Sequence, residues 1–257
     1  MGEWTPFPYV GEFSFDSAHL RKSWSRLHVG DTEPWPENDA VLQAWALFHS
    51  GAFEEACLLG LKAGDAGTTV ANKAMSIYAN YLEPGEKARL TLFLDVAARA
   101  EKHIQSEPRN PNAWYWRAYA LGRYSQGISV AKALAQGLGT KVKESLERAI
   151  QLEPAHADAH IALGTFHAEV IDKVGSLIGG MTYGAKKEVG LRMFQRGLQL
   201  HSGSVIGMVE YANALVMLDG EGKIPEATAL YEQAAAAAPV DATERLDVEF
   251  AQAELAS

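Results

Sequence analysis

The chain has 257 residues, of which 47% are hydrophobic and 21% are charged, and its formal net charge is −9. This composition is typical of a folded globular protein with a sizeable core, and it excludes disorder along the whole length. The acidic balance, without any long basic run, excludes the concentrated Lys and Arg footprint of a nucleic-acid binder.

We expect neither a secretory signal nor an internal disulfide. The amino-terminal sequence has no basic segment followed by an apolar run, and charged residues interrupt every long apolar window. The single cysteine, Cys57, cannot form an internal disulfide, and its helical surroundings favour a buried thiol. We therefore expect a cytoplasmic protein without a membrane-spanning segment.

Residues 1–36 form an arm that differs from the rest of the chain because aromatic side chains stand among four prolines. Residues 17–27 have a helical pattern, whereas the flanking residues do not. Because aromatic side chains bury large apolar areas, we expect the arm to pack on the remainder of its own chain. It could cap the first repeat or lie in the molecule's own groove, and a dimer contact is a further alternative. The aromatic residues are Trp4, Phe7, Tyr9, Phe13, Phe15, Trp24 and Trp35.

From residue 37 onward, apolar residues recur at helical spacing in paired segments. Three of the second segments end alike, at 149–154, 197–202 and 234–239, two of them on a proline. Proline just past a helix stops it, and the next helix then packs back antiparallel. The predicted helical hairpins are at about 38–64, 70–107, 112–153, 157–201 and 205–238, followed by a terminal capping helix at 242–255.

This pairing of helices resembles the tetratricopeptide family, whose unit has about 34 residues. Leu163 and Gly164 match the family's first helix, while Ala227 and Tyr231 match its second helix. The small residues let two helices approach closely, and the aromatic ring fills the gap between hairpins. The resemblance implies an all-α fold, a right-handed α-α superhelix or solenoid over 37–257, whose usual task is to hold a partner.

The third and fourth hairpins are longer than the family's unit because each carries an apolar, glycine-punctuated insert between its two helices. The inserts, at 127–139 and 173–184, occupy equivalent places and should lie side by side. Their side chains either pack together as a satellite cluster or form an edge that grips a partner or an apolar ligand. The layout is also similar to the regulator-of-microtubule-dynamics group of tetratricopeptide proteins. The predicted insert-edge residues are Val130, Leu134, Leu138, Leu177, Ile178, Met181 and Tyr183.

The resemblance also implies a concave groove lined by the first helix of each hairpin. Its mixture of aromatic, aliphatic and polar side chains suits an extended peptide or a helix, anchored on Tyr115, Tyr119 and Arg123. The groove positions at which relatives clamp the terminal carboxylates of chaperones hold no lysine here, so we expect no binding to chaperone tails. The predicted groove residues are Asn72, Asn112, Tyr115, Tyr119, Arg123, Asp158, Thr165, Glu169 and Asn213.

The leading functional hypothesis is a protein–protein interaction module or scaffold that binds a protein or peptide partner. One alternative is a carrier of a small apolar ligand or lipid that uses the glycine-rich inserts. Another is a metal-binding protein or an enzyme at the span from His156 to His167. A capped helix with a packed His160 explains that span without a metal, so we predict no enzyme activity, cofactor or metal.

Overall fold

The structure, a computed structural model, describes residues 4–256, and this range contains helices and no β-strand. The described chain forms two compact units: residues 4–28, 33–129 and 240–243 in unit 1, and residues 29–32, 130–239 and 244–256 in unit 2. The helices are α1 (Ser17–Leu27), α2 (Asp39–His49), α3 (Phe53–Lys62), α4 (Thr68–Tyr81), α5 (Glu86–Ser106), α6 (Pro111–Gln126), α7 (Val130–Ala135), α8 (Leu138–Leu152), α9 (Ala157–Val174), α10 (Ser176–Tyr183), α11 (Lys187–Leu200), α12 (Val205–Asp219), α13 (Ile224–Ala235) and α14 (Ala242–Ala256).

Unit 1 is a succession of hairpins in which each helix from α2 to α6 packs on the next one in the chain. Trp45 and Phe48 of α2 and Phe93 of α5 are fully buried in its core. Cys57 is also buried, as predicted, and burial raises the pKa of its thiol. The predicted all-α hairpin architecture is confirmed in this unit.

The amino-terminal arm packs on the helices of unit 1 through its aromatic rings. Trp4 stacks on Tyr78 of α4, with ring centroids 4.1 Å apart. Trp24 of α1 lies edge-on to Trp45, with centroids 5.9 Å apart, and its indole N–H donates to the Glu33 carbonyl at 2.9 Å. Of the aromatic side chains of the arm, Phe7 and Trp24 are buried and the others are partly buried, so packing on unit 1 removes much of their apolar area from water.

In unit 2, helix α9 packs against α8, α11 and α12. Small residues bring α9 and α11 close together, because a Cβ on Gly164 would lie 2.7 Å from the ring of Phe194. A Cβ on Gly197 would similarly lie 2.6 Å from the side chain of Ile161. The two helices therefore form a hairpin, and the insert between them contains a separate short helix, α10.

Candidate functional site

Helix α6 carries the predicted anchors Tyr115, Tyr119 and Arg123. Asn110 caps this helix by accepting from the backbone N–H groups of its first turn, and Pro111 supplies the helical φ angle. Because the anchors are four residues apart, they lie on one side of the helix. The structure places the Arg123 guanidinium 5.3 Å from the Tyr119 ring centroid, a cation–π contact.

The three anchors differ in accessibility. Tyr115 is buried, whereas Tyr119 and Arg123 are partly exposed. The Tyr119 ring packs edge-on against the rings of Trp116 and Phe93, with centroid separations of 5.3 Å and 6.4 Å. The α6 face, defined here as Tyr119, Arg123 and the neighbouring Gln126, is thus a rigidly supported surface feature of unit 1.

Two other predicted groove residues of unit 1 are buried. Asn112 donates from its side-chain amide to the Glu33 carboxylate of the arm at 2.6 Å. Asn72 of α4 is fully enclosed, and neither atom of its amide makes a hydrogen bond, like the hydroxyl of Ser76 one turn later. Asn72 and Asn112 consequently offer little surface to a partner.

The groove residues predicted in unit 2 make hydrogen bonds within that unit. The backbone N–H of Asp158 donates to the carbonyl of Gly30 at 3.0 Å. Thr165 donates from its hydroxyl to Glu210 of α12 at 3.2 Å. Asn213 accepts from the Tyr231 hydroxyl at 2.7 Å, and Glu169 accepts from Lys173 at 3.4 Å. These bonds tie α9 to α12 and α12 to α13, while the predicted role in partner binding stays a prediction.

The two inserts form the short helices α7 and α10, both of which contact α8. Of the predicted insert-edge residues, Leu138 is buried, and Tyr183 lies against Gly139, where an added Cβ would be 2.6 Å from its ring. The large side chains of α10 are exposed: Leu177 by 74%, Ile178 by 57% and Met181 by 83%. This exposure favours the alternative of an edge that grips a partner or an apolar ligand, and the role of the insert edge stays a prediction.

The orientation of α10 explains this exposure. Gly179 is buried, and a Cβ added to it would lie 3.0 Å from the Val170 side chain of α9. Helix α10 therefore turns its glycine side towards α9, and its bulky side chains point away from the unit. On α7, Val130 and Leu134 are likewise exposed, by 41% and 44%.

Comparisons with known proteins bear on the fold. The thermophilic TPR protein TTC0263 of Thermus thermophilus is similar over 84% of this chain and 98% of its own, with a TM-score of 0.57 and 15% sequence identity. The chain has a tetratricopeptide-like fold. The family described as regulator of microtubule dynamics protein 1-3 matches residues 62–173, from the end of α3 to the end of α9. No curated protein matches the chain.

The resemblances predicted from the repeats, to the tetratricopeptide family and in layout to the regulator-of-microtubule-dynamics group, are thus confirmed. Tetratricopeptide-like folds generally serve as scaffolds that hold protein partners on surfaces built from adjacent repeats. Within residues 4–256, no helix is both long and apolar enough to cross a bilayer.

Three histidines in the span from His156 to His167 suggested a metal site. Each of them makes a hydrogen bond to a backbone group. His156 caps α9, because its Nδ1 accepts from the Ala159 N–H at 3.2 Å. His160 bonds to the Pro154 carbonyl at 3.1 Å, and His167 Nδ1 accepts from the Lys186 N–H at 3.3 Å. In the described part of the chain, no three His, Cys, Asp or Glu side chains are grouped as a metal site requires. The geometry thus favours the interpretation of a capped helix with packed histidines.

The stability of unit 2 should depend on pH through His167. Burial, followed by the positive charge of Lys143, lowers the pKa of His167 to about 4. In the unfolded chain the pKa is about 6.5, so between these values only the unfolded state takes up the proton. The stability associated with neutral His167 is therefore present above about pH 6.5 and is lost as the pH falls towards 4. Urea unfolding should show a loss of about 1–2 kcal/mol attributable to this residue between pH 7 and pH 4.5.

The substitution His167→Gln removes the titrating group and keeps an acceptor for the Lys186 N–H. We expect the variant to be less stable than wild type at pH 7 but to lose less stability on acidification. His19→Gln, at an exposed histidine of α1, is the control. Equal pH dependence of wild type and His167→Gln would contradict the assignment.

One buried polar cluster in unit 1 has no counterpart in the sequence predictions. His49 Nδ1 lies 2.6 Å from Asp241 Oδ2, and His49 Nε2 lies 3.2 Å from His28 Nε2. Because a carboxylate oxygen accepts, the Nδ1–H of His49 donates to Asp241, and Nε2 of the same ring pairs with a ring nitrogen of His28. All three side chains are buried. They come from the residue after α1, from α2 and from the segment before α14, so no local sequence signal could have revealed the cluster.

Proposed function

We propose that this chain is a protein–protein interaction scaffold that holds a peptide or a helix of its partner against the α6 face. The observation that carries the proposal is the pairing of Tyr119 with Arg123, partly exposed on a helix of a tetratricopeptide-like fold. Tyr and Arg are the residue types that, with Trp, dominate the binding energy of protein interfaces.

The surroundings of Tyr119 favour its role as an anchor. Its ring is fixed by Trp116 and Phe93, so a partner would lose little side-chain entropy on packing against it. Arg123 lies over the same ring and directs one guanidinium N–H to Gln126 at 3.2 Å. A guanidinium fixed in this way is suited to a carboxylate or a backbone carbonyl of the bound segment.

The partner that we propose is not the carboxylate tail of a chaperone. The clamp positions hold apolar or aromatic side chains, and all of them are buried: Val41, Met75, Tyr115, Ile161 and Val209. A tail carboxylate would find no lysine at these positions. We further propose that the protein acts in the cytoplasm, without enzyme activity and without binding nucleic acid.

Affinity capture with the immobilised full-length chain tests this function. Wild type should recover a reproducible set of proteins from an extract of the native cell. In Tyr119→Ala/Arg123→Ala, recovery of that set should fall by about tenfold or more, because two anchor residues are removed.

The matched control is Arg192→Ala/Arg196→Ala, which removes two exposed arginines of α11. It should recover the same proteins as wild type, which separates loss of the α6 face from loss of positive charge. Undiminished recovery by the Tyr119→Ala/Arg123→Ala variant would contradict the proposal. Competition by a chaperone-tail peptide would contradict the statement about chaperones.

A further inference from the structure

Helices α7 and α10 of unit 2 project large apolar side chains into solvent. Leu177, Ile178 and Met181 lie on one side of α10, and Met181 is 83% exposed. Folded proteins rarely expose apolar side chains in contiguous groups unless the surface meets another molecule. The buried side of the same helix carries Gly179, so α10 places its small face inward and its bulky face outward.

The sequence segments around these helices are positively charged, whereas the chain as a whole is negatively charged. Residues 127–143 and 173–187, which contain both inserts, have no Asp or Glu in a chain of net charge −9. The lysines in the two segments are Lys132, Lys141, Lys143, Lys173, Lys186 and Lys187. The apolar projection is therefore flanked by positive charge in both segments.

Acidic residues outside the two segments pair with some of these lysines. Lys143 lies 3.3 Å from Glu147, Lys173 lies 3.4 Å from Glu169, and Lys187 is paired with Asp219. The first two are partly exposed pairs within one helix, which are weak and exchange readily for another anion. The side chains of Lys141 and Lys186 are exposed.

A depression beside α10 extends this surface. It has a volume of about 520 Å³ and lies between α10, the end of α9, the start of α11 and the end of α12. Its wall combines apolar side chains such as Ile171 and Leu218 with Lys186 and Lys187, and it includes the carboxylate-bearing Glu188. The depression thus offers apolar and cationic groups next to the projecting side chains.

We propose that the exposed face of α10, together with the lysines around it, docks on an anionic lipid bilayer. Leu177, Ile178 and Met181 enter the boundary between headgroups and acyl chains, as on the apolar face of an interfacial helix. Lysines with long aliphatic stems reach the phosphates around them, because such side chains extend their charge to the interface. The side chains project outward from short helices, a shape that fits a soft, planar, negatively charged surface better than a preformed protein groove.

Vesicle flotation with the full-length chain tests this proposal. Wild type should float with vesicles of phosphatidylcholine containing about one third phosphatidylserine, and only weakly with phosphatidylcholine alone. High salt should reduce the floated fraction, because the lysine contribution is screened. For the variant Leu177→Ser/Ile178→Ser/Met181→Ser, the floated fraction should fall by about tenfold or more. Lys141→Glu/Lys186→Glu should lose a similar fraction.

Two controls match these variants in exposure and chemistry. Leu58→Ser/Leu61→Ser changes leucines of α3 that are 56% and 40% exposed, and Lys62→Glu/Lys102→Glu changes exposed lysines of α3 and α5. Both should float like wild type. Because every changed side chain is exposed, circular dichroism and thermal unfolding should be unaltered in all variants.

The proposal is overturned if wild type does not float with anionic vesicles, or if the triple serine variant floats as well as wild type. Sedimentation equilibrium distinguishes one other occupant. If wild type fails to float and is dimeric while the triple variant is monomeric, the surface is covered by a second copy of the chain. This test does not involve the α6 face, so its outcome is independent of the affinity capture.

Discussion

Replacing Gly67 with alanine is expected to destabilise the protein by about 3 kcal/mol or more. A Cβ at this position would lie 2.1 Å from the carbonyl oxygen of Gly60 and 2.8 Å from its carbonyl carbon. The backbone of Gly67 has φ −96° and ψ 1°, so the expected cost comes from the steric clash and not from a left-handed conformation. Because the atoms that would be struck belong to backbone, they cannot rotate away, and α3 and α4 would have to separate.

Urea unfolding of wild type and Gly67→Ala measures this loss. Gly122→Ala is the matched control, because it adds the same methyl group to α6, where no atom outside the helix backbone lies within 4 Å. That substitution should be neutral or stabilising by up to about 1 kcal/mol, since glycine costs more conformational entropy on folding than alanine. Equal unfolding midpoints for the two variants would contradict the close approach of α3 and α4.

Asp241→Ala is expected to cost about 2–4 kcal/mol, because it removes the acceptor of a buried imidazole N–H. The His49 side chain is fully buried, and the Asp241 side chain is only 7% exposed. His49 also bonds to His28, the residue that follows α1, so losing the carboxylate weakens the attachment of the arm as well as the segment before α14. Removing one partner of a buried ion pair leaves the other group without its partner. This generally lowers stability more than replacing both partners with apolar residues.

The same unfolding measurement tests this cluster. Asp241→Asn should lose less than Asp241→Ala, because the amide oxygen still accepts from His49. Glu147→Gln is the control, since it removes a partly exposed ion pair with Lys143 and should cost less than about 1 kcal/mol. Equal urea midpoints for Asp241→Ala and Glu147→Gln would refute a stabilising role for the cluster.

The helices and hairpins could be predicted because their signals are local. Asn110 and Pro111 mark the start of α6, and Pro154 follows the end of α8, so capping and helix termination can be read within a few residues. Gly164 also reveals its role locally, since a small residue in the first helix of a repeat lets the second helix approach.

The surface of the candidate site was harder to predict because it depends on contacts between distant segments. Asn112 has the spacing of a groove residue, yet its amide is bound by Glu33, which lies outside every predicted helix. The exposure of Met181 follows from the direction in which Gly179 faces, and the apolar composition of the insert is the same for either direction. His49 and Asp241 are 192 residues apart, and their pairing has no sequence signature.

Photocrosslinking from the α6 face tests the central claim of partner binding most directly. A photoreactive phenylalanine analogue at Gln126, an exposed position beside Arg123, leaves Tyr119 and Arg123 intact. Irradiation in the native extract should join this variant to the protein that wild type captures, whereas the same analogue at exposed Gln199 of α11 should not. Crosslinking from position 199 with none from position 126 would contradict the assignment of the α6 face as the partner-binding surface.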